Sequence, residues 1–186
     1  PITFAPNIFV NRMSQKPVNP YLFLGLLALI WGSSFILMKE GLKHFSSYQV
    51  AAMRIGFAGV ALIPFVNWRK VVIRSGDLKY FIISGFLGSA LPAFLFTAAQ
   101  TKISSSLAGA LNGLTPLFAL LVGVLFIGIK VNKLKIYGVI CGLLGAFFLV
   151  IGKSINFDIG YTSLAVLATL CYGINVNIIK QKLNDY

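Results

Sequence analysis

Negative charge is almost missing from this sequence: only 4 Asp and Glu stand against 16 Lys and Arg, and His44 is the one histidine. So few carboxylates and a single imidazole leave no cluster of nucleophile, base or metal ligands, which argues against an enzyme and calls for no cofactor or metal. Cysteine is scarce too. Cys141 and Cys171 fall inside apolar runs without metal or redox spacing, where cysteine acts as a small core residue. Strictly alternating apolar and polar stretches are absent, and Leu143 to Ile151 is continuously apolar, so a membrane β-barrel is excluded. No small-residue cleavage pattern follows the first apolar run, so that run is expected to remain as a helix rather than be removed as a signal.

What is there is hydrocarbon. Apolar residues make up 58% of the 186, too many to be wrapped by the polar remainder in water, so the solvent must be largely lipid. A helix needs about 20 residues to cross a bilayer core of ~30 Å. Six runs reach that length: Tyr21 to Met38, Tyr48 to Asn67, Leu78 to Gln100, Leu107 to Ile129, Leu134 to Gly152 and Gly160 to Ile179. The expected fold class is therefore an all-α integral membrane protein, a polytopic helical bundle with the bilayer as its solvent.

A net charge of +12 would point a soluble protein toward nucleic acid, but its placement gives another account. Alternate connecting segments hold 11 Lys and Arg (Arg12 and Lys16; Arg69, Lys70, Arg74 and Lys79; Lys130, Lys133 and Lys135; Lys180 and Lys182), whereas the others hold Lys39, Lys43, Lys102 and Lys153. Positive charge collects on the cytoplasmic side, so the amino terminus is expected there and nucleic acid is not expected as a partner. Residues 1–20 read as a cytoplasmic segment. Within it, 1–12 precede Met13 and are expected to be an extension rather than native sequence.

An internal repeat emerges at an offset of 141 residues, where Trp31-Gly32 matches Tyr172-Gly173, Leu29 matches Leu170, Lys39 matches Lys180 and Leu42 matches Leu183. Five helices separate the copies. An odd number makes the second copy enter from the opposite face, the signature of an inverted-topology repeat. Residues 21–152 then form a first five-helix repeat, and 153–186 hold a loop and the first helix of a second. One further period would give about 300 residues and ten helices. The expected partner of this segment is that second repeat or, failing it, a second copy in a homodimer.

Leu27-Ala28-Leu29-Ile30-Trp31-Gly32-Ser33-Ser34-Phe35, Ala52-Met53-Arg54, the run from Phe96 to Phe118 with Leu114-Thr115-Pro116-Leu117, and Gly138, Gly142 and Gly145 follow one another in a definite order. In these features, over Tyr21 to Lys182, the chain resembles the EamA family of the drug/metabolite transporter superfamily. The resemblance implies ten helices, both termini cytoplasmic, and a secondary transporter moving small metabolites, amino acids or amphipathic compounds, usually as export. It implies residence in a bacterial plasma (inner) membrane. One departure stands out: members often carry an acid after the glycine ending the fourth helix, and here Gly128 is followed by Ile129 and Lys130. The Glu that small multidrug transporters need in the first helix is also lacking between Trp31 and Phe35.

Arg54 is the sharpest single residue. It lies about seven residues into the second helix, ~10 Å deep at 1.5 Å per residue. An unpaired charge there costs at least a few kcal/mol. It either contacts an anionic substrate in a water-filled path or snorkels to the interface. Glu40, Asp77, Asp158 and Asp185 all sit at or beyond helix ends, so proton coupling would need the second repeat or Glu40; facilitated exchange is the equal alternative. Asn112 and Asn175 are amides that cannot satisfy both ends on their own helix. With Trp31, Ser34, Thr115 and Tyr172 they complete the candidate substrate path, whereas isolated Ser and Thr most often bond back to their own helix. Pro92 and Pro116 fall inside the third and fourth helices and are candidate hinges. Gly85-x-x-Gly88, Gly109-x-x-x-Gly113 and Gly138-x-x-x-Gly142 suit close packing within the molecule. Lys39 and Lys180 read as interfacial anchors. The competing reading is a non-transporting membrane scaffold, or a subunit needing a partner half, which would have little use for Arg54, the two prolines or the amides.

Overall fold

The computed structural model describes residues 19–66, 73–129, 132–151 and 158–184. The cationic residues Arg12, Lys16, Arg69, Lys70, Lys130 and Lys153, as well as Met13 and Asp185, lie outside the described residues. All regular structure among those described is helical. The helices are α1 (Pro20–Gly41), α2 (Ser47–Leu62), α3 (Leu78–Gly85), α4 (Leu91–Gln100), α5 (Ser105–Asn112), α6 (Thr115–Ile127), α7 (Lys133–Ile151) and α8 (Ile159–Lys182). Five stretches are long and apolar enough to cross a membrane: Tyr21–Gly41, Ser47–Phe65, Leu78–Gln100, Ser105–Ile127 and Ile159–Lys182. The sixth expected span coincides with α7, whose described apolar core Ile136–Gly145 is shorter.

Helix ends are set by local chemistry, because lipid cannot satisfy free backbone donors. At the start of α2 the Ser46 hydroxyl accepts from Gln49 N at 3.3 Å while the Gln49 side chain accepts from Ser46 N at 2.9 Å, a capping box. Ser104 caps α5 through Leu107 N at 3.2 Å, and Asp158 caps α8 through Tyr161 N at 3.1 Å. α6 stops where Gly128 turns left-handed at φ 69°, letting Ile129 N reach back to the Gly123 carbonyl at 3.1 Å.

The two proline-containing spans are not uniform helices. Phe86–Ala90 joins α3 to α4 as a π-turn in which Leu91 N bonds Phe86 O. Pro92 follows directly. Its ring and missing N–H are incompatible with the carbonyl four residues back, and the wider turn relieves both. Pro116 falls inside the fourth span, Ser105–Ile127, just after a break in the helix: Gly113 and Leu114 form a turn bonded to Ala110 O and Leu111 O at 3.0 and 2.9 Å, and Pro116 occupies the first turn of α6. Proline is tolerated in a first turn, where its lost donor would be unpaired anyway.

Packing divides the chain into two compact units, one reaching Ser34 and the other starting at Phe35. In the first, Tyr21, Leu24 and Trp31 are exposed. The second is organised around α8, which packs against α4 and α6. Its core comprises Met38, Val50, Phe96, Ala99, Ile103, Leu107, Ala108, Ala165 and Ala168. These residues sit where α1 and α4 finish and where α2, α5 and α8 begin, so the densest packing is at one end of the bundle. Apolar burial adds little between helices in lipid, so contact quality decides. At Gly173 a Cβ would stand 2.7 Å from Ala119 N and from Phe118 Cβ, so only glycine allows α8 this close to α6. Gly88 and Gly109 likewise face Asn175 and Phe35, as intramolecular packing requires, whereas Gly138 and Gly142 have open space beside them.

Candidate functional site

Arg54 is the eighth residue of α2 and is half-buried. Its Nη1 approaches the Met38 sulfur at 3.6 Å, a weak acceptor for a full charge. Among the described residues no carboxylate pairs with it; Glu40 instead binds Lys43 at 2.7 Å at the surface. Tyr172 on α8 lies within electrostatic reach of the guanidinium. The Tyr172 ring stacks on Phe96 with centroids 6.2 Å apart, and Phe96 meets Phe35 edge-on at 5.4 Å. A cation with no carboxylate partner among the described residues thus lies within electrostatic reach of a phenol that stacks on Phe96. That arrangement can receive an anionic group and an adjoining flat or apolar body.

Two further polar groups in the second unit are left open. The Thr115 hydroxyl at the start of α6 and the Asn175 Oδ1 on α8 are buried without a hydrogen-bond partner among the described residues. The Asn175 amide occupies the space beside Gly88, where any side chain would collide with it, so it rests on the π-turn before Pro92. Asn112 is half-buried at the end of α5. The structure therefore brings Tyr172 within electrostatic reach of Arg54, and places Thr115, Asn175 and Asn112 on helices of the same unit. Trp31 and Ser34 belong to the first unit: Trp31 is exposed, and the Ser34 hydroxyl donates to the Trp31 carbonyl at 2.7 Å. Back-bonding also accounts for Ser33, Thr97 and Thr169.

Three polar residues outside that set play larger parts than the sequence suggested. Asn177 is buried and its Nδ2 donates to Ala119 O at 2.8 Å and to Gly173 O at 2.9 Å, tying α8 to α6. Gln100 is wholly buried, and neither amide atom has a partner among the described residues. Lys39, expected as an interfacial anchor, is half-buried, and its ammonium donates to the main-chain carbonyls of Gln100 and Ile103, closing the carboxyl end of α4. At the opposite end, Lys79 and Lys182 both lie over the Tyr80 ring, at 5.0 and 5.6 Å.

A family model described as the EamA-like transporter family matches residues 19–151. The chain belongs to the EamA-like transporter family. It is an integral membrane protein, with five helices of membrane-spanning length among the described residues. Relatives include the uncharacterized transporter YoaV of Bacillus subtilis, 28% identical over 81% of this chain and 54% of its own length. An uncharacterized transporter of Archaeoglobus fulgidus is 24% identical over 91% of this chain and 60% of its own. The inner membrane transporter YedA of Escherichia coli is 29% identical over 73% and 45%. The chain thus spans about half the length of the curated relatives it matches. No solved structure matches this EamA-like chain significantly.

Proposed function

We propose that this EamA-like chain is the front half of a secondary transporter that exports small metabolites, amino acids or amphipathic compounds by alternating access, with an anionic group of the substrate engaging Arg54. The observation that carries this reading is the half-buried guanidinium in α2, which approaches the Met38 sulfur, lies within electrostatic reach of Tyr172 and pairs with no carboxylate among the described residues. A charge kept at membrane depth costs at least a few kcal/mol, and a transported anion arriving through water would offset that cost during the cycle. The open acceptors of Thr115 and Asn175 suit a substrate or water that donates hydrogen bonds. Asn112 extends the same candidate path within the second unit, Trp31 and Ser34 remain candidates on the first, and the π-turn before Pro92 offers a hinge. The working location is a bacterial plasma membrane with the amino terminus in the cytoplasm. No chemical step is assigned to the protein.

The test is uptake by reconstituted full-length protein at matched expression, using radiolabelled amino acids, their carboxamides and matched organic amines as probes. A hydrogen bond to a charged group contributes about 1.5–3 kcal/mol, so Arg54→Gln is expected to slow carboxylate transport by about 10- to 100-fold, with Arg54→Lys in between. Carboxamide transport should change little. Unchanged saturation and rate in both variants would remove Arg54 from the path, and transport of no probe by the wild type would favour the scaffold reading.

A further inference from the structure

We propose that the side-chain amide of Gln100 is a substrate contact on the seam between α4 and α8, pairing with a carboxamide-like group of the transported compound. The inference rests on the transport reading above. It adds a polar, uncharged group to the substrate class and names the end of the bundle that must open to admit it.

Gln100 ends α4 and is 0% exposed, and neither its Oε1 nor its Nε2 has a partner among the described residues. Exchanging the two ends of the amide leaves both unpaired, so the orientation of the group does not alter this. Burying an amide unpaired is costly, and the buried side chains of Phe96, one turn before it, and Ile103, just after it, are apolar and offer nothing in return. Thr162, in the first turn of α8, is a second case: it is 7% exposed, and its hydroxyl is unpartnered among the described residues. Thr97 and Thr169, in the same two helices, bond back to carbonyls of their own turns, so an open hydroxyl is not the habit of threonine in this bundle.

The register of α4 against α8 sets these groups in line. Gly88, just before α4, faces Asn175, and Phe96 stacks on Tyr172, so the two helices run antiparallel. Gln100 shares a face with Phe96 one turn, ~5.4 Å, further along, and the same step on α8 leads from Tyr172 toward Thr162. Asn175 therefore lies on one side of the Phe96–Tyr172 stack, and Gln100 and Thr162 on the other. A second link runs through α1. The Arg54 Nη1 approaches the Met38 sulfur, and the next residue, Lys39, donates from its ammonium to the Gln100 and Ile103 carbonyls. A carboxylate at Arg54 and a group that both donates and accepts at Gln100 then belong to one compound with two polar ends. In this conformation the amide is closed off, and the Lys39 bonds hold the end of α4 in place. Those bonds have to release before a solute reaches Gln100, and pairing with the amide then stabilises the open form.

The experiment compares two radiolabelled probes on the purified natural full-length protein: succinamate, which joins a carboxylate to a carboxamide, and 4-methylpentanoate, in which an isopropyl group of similar size replaces the amide. The wild type is expected to bind succinamate about tenfold more tightly, the weight of one or two neutral hydrogen bonds, because a buried polar group left unpaired rejects the apolar analogue. Gln100→Met should erase that preference and leave the melting temperature equal or higher, since the amide has no partner to lose among the described residues. Arg54→Gln should weaken both probes alike. A wild type that binds neither probe or shows no preference, or a Gln100→Met that keeps it, overturns the proposal. So does a fall in melting temperature shared by Gln100→Met and Gln100→Leu, which would mean that the amide is bonded elsewhere in the full-length protein. Access is read separately, with Gln100→Cys in protein carrying Cys141→Ala and Cys171→Ala. A water-soluble thiosulfonate should modify the new thiol, and faster once Lys39→Gln is added; a thiol that stays unmodified would also overturn the proposal. Normal binding of both probes by Arg54→Gln would instead sink the Arg54 reading and leave the Gln100 contact standing, so the two fail separately.

Discussion

At the scale of single residues, Asn177 and Arg54 show how differently polar groups inside a membrane protein behave. Asn177 has both its protons committed, one across to α6 and one within α8. Such interhelical bonds are worth about 0.6–2 kcal/mol in membranes, so Asn177→Leu should lower the thermal stability of purified protein by that order, measured as a melting shift in detergent. Arg54 has no such commitment. Arg54→Gln removes a charge from the lipid-depth region, so stability should hold or rise while carboxylate transport falls, a split read by paired melting and uptake assays. Arg54, Asn112, Asn175 and Tyr172 were legible in the sequence because polarity inside an apolar run is conspicuous. Gln100 and Lys39 were not, since they stand at the ends of runs, where sequence alone cannot distinguish a wet interface from a buried junction.

At the scale of elements, the turns around Pro92 and Gly113 are where helix geometry gives way. The π-turn Phe86–Ala90 exists because Pro92 cannot bond the carbonyl four residues earlier. Pro92→Ala restores that donor and should let α3 and α4 merge into one regular helix. The expected result is a higher melting temperature with slower transport, and an unchanged rate would leave the bend without a role in the cycle. The length of each span could be read from apolar runs, and Leu78 to Gln100 agrees at both ends. The break at Gly113 and Leu114 could not, because both residues suit a helix interior in lipid as well as a turn; the adjoining Pro116 acquires its meaning from which side of the break it falls on.

At the scale of the whole molecule, charge and topology have to agree. Lys79 and Lys182 share one end of the second unit through Tyr80, while Lys39 and its carbonyl partners mark the other. If positive charge orients the chain, cysteines introduced at Ser75 and Asn132 should react with a membrane-impermeant maleimide only after the cell is opened, and cysteines at Lys43 and Lys102 in intact cells. The reverse pattern would invert the proposed orientation and, with it, the direction assigned to transport.

What the sequence determined by itself was the solvent and the class of fold, because the free energy of placing apolar and charged groups in lipid depends on composition and run length more than on neighbours. It also carries the match of Trp31-Gly32 with Tyr172-Gly173 at an offset of 141, on which the proposal of a repeat rests. Tertiary structure decided which polar groups are satisfied and which stay open. It decided that Gly173 and Gly88 are closely approached while Gly138 is not, and that among the described residues the Arg54 charge has Tyr172 rather than a carboxylate within electrostatic reach. Those outcomes turn on separations of a few ångströms between residues tens of positions apart, and no local pattern encodes them.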